Sequence, residues 1–160
     1  MIELLKFSSE HLSNTFEWMQ NQSLKDTFLL DKEITTESHL IWFKGLNRDS
    51  SQTLFAIIFD GVYVGNIGLK NMDYTNKNAE IWIYIGDQNF RGKGIAKHAI
   101  IKLEEIFAGE FIKFYARVAD FNLPSIKSFQ AANYNIEGIL KNDVIFKKRT
   151  INILRFYKLL

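Results

Sequence analysis

A chain of 160 residues, 47% hydrophobic and 24% charged, has room for one domain with a real core and is not disordered. Its 20 basic and 18 acidic side chains leave a net charge of +2, which gives no global reason to expect nucleic acid. It contains no cysteine, so disulfides, thiolate metal sites and cysteine nucleophiles are excluded, and it has no apolar run of about 18 residues to cross a membrane.

The expectation is therefore one α/β domain over 1–160, soluble and cytoplasmic, a monomer or homodimer without a metal. Residues 2–7 predict a short strand. Ser8 or Ser9 then caps a helix with Leu12, Phe16 and Met19 at helical spacing. A loop leads to Thr35 and Thr36, either of which caps a second helix containing Leu40, Phe43 and Leu46. "TLFAIIF" (53–59), Asp60-Gly61 and "VYVGNIGL" (62–69) predict a β-hairpin. "AEIWIYI" (79–85) alternates, placing Ile81, Ile83 and Ile85 on one face and Glu80, Trp82 and Tyr84 on the other. A helix from about Gly94 to Phe107 follows, with Ile95, Ala99, Leu103 and Ile106 on one side. Residues 112–118 read as a strand, Pro124 to Ala132 as a helix, and 136–146 and 150–159 as two closing strands. The order β α α β β β α β α β β predicts a largely antiparallel mixed sheet, with one parallel pair joined by the crossover at 79–118.

Between strand and helix lies "QNFRGKGIAKHA" (88–99), two glycines and several cations in a short turn. A helix N-terminus presents free amides and the positive end of its dipole, and glycine lets a ligand approach the backbone closely. Phosphate or pyrophosphate is the natural ligand, and a solvated basic turn is the plain alternative. The Walker pattern and the dinucleotide fingerprint both fail, the latter because no glycine stands at 97.

"RGKGIA" (91–96) in that setting resembles the acetyl-coenzyme A signature [QR]-x-x-G-x-[GA] of the GNAT N-acetyltransferase superfamily. "VADFNLPSIKSFQAANY" (118–134) resembles the superfamily's V-x-x-x-N-x-x-[AS]-x-x-x-Y-x-x-x-G-F segment, in the right order. The resemblance spans nearly the whole chain and implies a GNAT-type domain whose central parallel strands splay at 79–86 and 112–118. It implies acetyl-coenzyme A as cosubstrate, with the backbone at Arg91, Gly92, Lys93, Gly94, Ile95 and Ala96 holding the pyrophosphate. The strand bearing Ile83 and Ile85 would pair with the pantetheine arm, and Asn122, Ser125 and Phe129 would lie along the same arm. "ESHLIWF" (37–43), "NAEIWIYIG" (78–86) and "EGIL" (137–140) resemble a narrower branch. That branch holds ribosomal-protein alanine, spermidine and nucleotide-linked amino-sugar acetyltransferases. The His-x-x-Trp-Phe of 39–43 is most similar to the amino-sugar members. The reading is acetyl transfer to a primary amine, with a non-catalytic acyl-coenzyme A-binding module as the alternative.

Amine attack on a thioester needs a neutral amine, a polarised carbonyl and a proton for the departing thiolate. Glu80 is the leading base, because burial among apolar strand residues makes a carboxylate hold a proton more firmly. A strand glutamate paired with a lysine is its plain alternative. His39 could be the base instead or bind the substrate, whereas His11 and His98 fall on surface faces. Phe129 occupies the position where the superfamily often has a catalytic tyrosine, and phenylalanine cannot donate a proton. That leaves Tyr84, Tyr115, Tyr134, water or unaided departure. Asn133 replaces the usual helix-ending glycine and tolerates the left-handed cap. Trp42 and Trp82 are expected to wall the acceptor pocket, and Trp18 and Phe90 to pack in the core.

Overall fold

Nearly every stretch whose apolar residues alternate is a strand in the computed structural model, which describes residues 1–160. The strands are β1 (Ile2–Lys6), β2 (Thr53–Phe59), β3 (Val62–Asp73), β4 (Asn78–Ile85), β5 (Lys113–Ala119), β6 (Asn135–Phe146) and β7 (Arg149–Leu159). The helices are α1 (Leu12–Trp18), α2 (Gln22–Thr27), α3 (Thr36–Leu46), α4 (Ile95–Ile106) and α5 (Leu123–Ala131). All seven strands form one sheet in the order β1-β2-β3-β4-β5-β7-β6. Every neighbouring pair is antiparallel except β4 and β5, which the crossover through α4 makes parallel. The expected mixed sheet is therefore present.

Local chemistry explains the joints. Asp60 (φ 49°) and Gly61 (φ 81°) turn β2 into β3 with two successive left-handed residues, the turn whose twist matches a hairpin. Thr35 caps α3 by accepting from Ser38 N–H at 3.1 Å. Ser8 opens a short 3-10 turn ahead of α1, where His11 Nδ1 accepts from Ser8 N–H at 3.0 Å. Asn133 is left-handed (φ 66°) just past α5, as expected of the residue standing in for glycine.

Helix α4 covers one face of the sheet. Ile95, Ala99, Ile100 and Leu103 pack on Ile57, Ile67, Leu69, Ile81, Phe114 and Phe156, all buried. Each of the isoleucine, leucine and phenylalanine side chains among them contributes about 1.5–3 kcal/mol by leaving water. Ile106, expected on this stripe, is instead 47% exposed, and Ile100 takes the buried position. The buried stripe runs through Ile100, Leu103 and Phe107, which leaves Ile106 on its outer side.

Two further differences bear on the site. Residues 22–27, expected as loop, form α2, capped by Asn21, which accepts from Leu24 N–H at 3.1 Å. One buried residue, Leu24, is too little periodicity to announce a helix. Strand β3 runs beyond Leu69 to Asp73, through a register shift against β4. No helix is long and apolar enough to cross a membrane.

Candidate active site

The parallel pair at the sheet centre is brief. β4 and β5 are in register only at Asn78–Lys113, Ala79–Phe114 and Glu80–Tyr115, then separate. From Ile81 to Ile85, β4 remains paired with β3 on one edge and has no strand on the other. The splay is the one expected from the resemblance. It opens a cavity of about 600 Å³, walled by β4, by Arg117, Val118 and Ala119 of β5, and by Asn122, Ser125 and Phe129 of α5. Phe28 and Leu29 after α2, and His39 and Trp42 of α3, cover its other side.

The glycine loop lies beyond the end of β4. Arg91 folds back on that strand, its Nε donating to Ile85 O at 3.0 Å and Nη2 to Gly86 O at 3.4 Å. Gly92 and Gly94 both have φ 74°, and a Cβ at either would meet nothing within 4 Å. Open space over two left-handed glycines at the start of a 12-residue helix suits a pyrophosphate on backbone amides. An extended amide-bearing arm suits the free edge of β4. These residues therefore fit coenzyme A. Ile95 is buried in the core, and Ile83 and Ile85 pack against it, so contacts from these three would come from backbone. Lys93 extends over the Phe90 ring, 5.0 Å from its centroid.

On α5, Asn122 caps the helix, its side-chain oxygen accepting from Ser125 N–H at 3.3 Å. Phe129 both lines the cavity and anchors the core, stacked on Phe156 at 5.9 Å. Tyr134 stands behind α5 and does not line the cavity; burial, with the Glu104 carboxylate adding to it, pushes its hydroxyl pKa far up.

The acceptor side gathers Glu80, Trp82, Tyr84, His39 and Trp42 around one space. Glu80 is 3% exposed, with Lys70 Nζ 3.2 Å from Oε1 and Asn71 Nδ2 donating to Oε2 at 2.9 Å. Both lysine pairing and a place in the cavity wall are thus realised in one carboxylate. His39 is buried, and its Nε2 donates to Leu12 O at 3.2 Å, which leaves Nδ1 as the lone-pair nitrogen. Burial lowers its pKa, and the Leu12 bond opposes this only in part, so the ring is neutral at pH 7. It stacks on Trp42 at 5.1 Å. Phe28 meets both Trp82 and Tyr84 edge-on.

Tyr84 is employed elsewhere. Its hydroxyl accepts from Asn66 Nδ2 at 2.6 Å; the same Nδ2 lies 3.2 Å from Thr15 Oγ1, and Tyr63 donates to Asn66 Oδ1 at 2.8 Å. Thr15 in turn lies 2.9 Å from the Tyr63 hydroxyl. Burial pushes the Tyr63 pKa up to about 12 and the Tyr84 pKa higher still. Tyr115, beside Glu80, is also shifted upward, by burial first and the Glu80 charge second.

The readings of Trp18, Phe90 and His98 agree with the structure, whereas His11, expected on the surface, is half-buried against Phe7 and Tyr63. Trp18 packs over Gly86, where a Cβ would come within 2.0 Å of the indole, and Phe90 meets Phe59 edge-on. His98 is exposed, and His11 serves the turn before α1. Sequence reading missed Lys70, Asn71, Asn66, Arg117 and Phe28. The Lys-Asn pair at 70–71, where the alternation of β3 breaks, was the one available signal.

The acetyltransferase (GNAT) family model matches residues 14–134. Acetyltransferase PseH of Campylobacter jejuni is 30% identical over 143 residues, 85% of this chain and 86% of that protein. The spermidine N-acetyltransferase of Vibrio cholerae, solved with CoA and spermine, matches with a TM-score of 0.89 over 99% of this chain and 95% of that one, at 18% identity. The microcin C7 self-immunity acetyltransferase MccE, solved with acetyl-CoA and AMP, matches with a TM-score of 0.85 over 99% and 92%, at 19% identity. These two likenesses establish the fold. With the glycine loop, the split sheet and the family match in agreement, the chain belongs to the GNAT family of N-acetyltransferases, which take their acetyl group from acetyl-coenzyme A.

Proposed function

We propose that this enzyme acetylates the primary amine of a small acceptor carrying negative charge, a nucleotide-linked amino sugar ahead of a ribosomal-protein N-terminus or a polyamine. The charge of the cavity lining supports the reading: one carboxylate, Glu80, beside two cations, of which Lys70 pairs with Glu80 and Arg117 with Asp143 of β6. A polyamine would need several carboxylates, and here the single one is already paired with Lys70. Trp82, Phe28 and Trp42 offer faces for a sugar ring or a base, and about 600 Å³ is the size of a small-molecule pocket.

In this reading the amides of Arg91 to Ala96, the free edge of β4, Asn122 and Ser125 hold the coenzyme A moiety. When bound, it supplies a thioester carbonyl open to attack by an amine. Glu80 accepts the proton of the amine, directly or through water, and Lys70 and Asn71 keep its carboxylate in place. Neutral His39 offers Nδ1 to the acceptor from the α3 side. Phe129 cannot donate a proton and the Tyr84 hydroxyl is engaged by Asn66, so in this reading the sulfur leaves without a side-chain acid, which a thiol of ordinary pKa about 8.5 tolerates.

A thiol-release assay with acetyl-coenzyme A and three acceptors tests the proposal. The nucleotide-linked amino sugar should exceed spermidine and an N-terminal peptide in kcat/KM by about 10-fold or more. Fastest turnover of spermidine would overturn the acceptor class. Binding of acetyl-coenzyme A with no turnover of any amine would make the chain the binding module instead.

A further inference from the structure

Strand β3 carries a local irregularity opposite the candidate base. Lys70 pairs with Glu80 and Asp73 with Asn78, so Asn71 and Met72 together face the single residue Ala79. This is a β-bulge, and Asn71 within it is left-handed at φ 50°, a conformation asparagine tolerates better than other non-glycine residues. In an unbroken strand, residue 71 would face away from Lys70 and Glu80. The bulge instead buries Met72, whose N–H donates to Ser51 O at 2.9 Å, and leaves the Asn71 amide on the Glu80 side. Its Nδ2 donates to Glu80 Oε2 at 2.9 Å, while Lys70 holds Oε1 at 3.2 Å.

We propose that Asn71 is a positioning residue for Glu80, and that the bulge serves to bring a neutral donor onto the carboxylate that accepts the acceptor's proton. The proposal rests on the reading of Glu80 as the base. The Lys70 ammonium is half-exposed on a flexible stem, so it supplies charge more than direction. Asn71, fixed by its backbone, supplies direction and stabilises the ionised form. Tyr115 of β5 stands in register with Glu80, with the Arg155 guanidinium of β7 4.1 Å above its ring, and Arg117, paired with Asp143, and His39 line the same cavity. None of these is hydrogen-bonded to the Glu80 carboxylate; Asn71 is.

The test uses Asn71→Gly, which keeps the left-handed backbone and removes the donor, and Asn71→Asp, which replaces the donor with a negative charge. Steady-state kinetics of each are measured in the wild-type and the Glu80→Gln backgrounds. Turnover of the best acceptor should fall by roughly 3–30-fold, with the KM for acetyl-coenzyme A unchanged. The loss should fall on kcat rather than on the acceptor KM, should be larger in Asn71→Asp, and should vanish when either change is made in Glu80→Gln. Wild-type turnover in both variants, or the same fall in the Glu80→Gln background, with Glu80→Gln itself impaired, would overturn the positioning role alone. Wild-type turnover in Glu80→Gln would overturn the base reading, and the catalytic role of Asn71 with it.

Discussion

Glu80 and Tyr84 lie on the same face of β4 and line the same cavity, yet their polar atoms are held in opposite ways. The Glu80 carboxylate is held by two neighbours from the adjoining strand, one of them a half-exposed lysine. The Tyr84 hydroxyl is tied to the buried Asn66, which also binds Thr15 and Tyr63. One arrangement leaves a carboxylate at the cavity wall, where the proposed function has it take the amine's proton. The other uses a polar group as a fastener between β3, β4 and α1. Alternation alone makes the two residues equivalent, and only their partners separate them.

Three substitutions press on that contrast. Glu80→Gln should have the largest effect, lowering kcat/KM by roughly 10²–10⁴ with acetyl-coenzyme A affinity nearly unchanged. Its rate should recover as pH rises and the free amine becomes abundant. Steady-state kinetics across pH decide this, and wild-type turnover would pass the base to His39 or water.

Tyr84→Phe should do the reverse, costing stability more than rate. Losing the Asn66 bond should destabilise the fold by about 1 kcal/mol in denaturant unfolding, while kcat changes only a few-fold. A larger loss of kcat, with stability intact, would restore the tyrosine as general acid.

The smallest effect concerns His39, whose pKa is lower in the folded protein than in the unfolded chain because burial disfavours its charged form. Its unfolded form binds the proton more readily, so its stabilising contribution is full above the ordinary value of 6.5 and fades as pH falls below it. His39→Gln should flatten the fall of Tm on the acid side of that value. An unchanged acid-side slope would show that this ring does not titrate with unfolding.

Much of the architecture is legible in the sequence because it follows from local rules. Strict alternation at 79–85, Asp60-Gly61 between two apolar runs and glycines at 92 and 94 each admit few backbone solutions, and the structure adopts them. The left-handed Asn133 was foreseeable for the same reason, since few residues take that conformation. Helix α2 was not legible, because its single buried leucine carries no period.

The candidate site divides the same way. That Glu80, Trp82 and Tyr84 share a face follows from the two-residue period of a strand, and that the loop at 91–96 opens a helix follows from its glycines and the apolar residues after it. Which strand lies beside Glu80, and with which donors, depends on residues far apart in sequence and on a register shift that alternation does not encode. Asn66 meets Thr15 only because β3 and α1 are packed together, and the His39 ring is bonded to Leu12 and its pKa lowered only because the fold buries it there. Composition and period determine what each segment can be. Burial, register and the choice of hydrogen-bond partner, which set the chemistry of an ionisable group, exist only once the chain has folded.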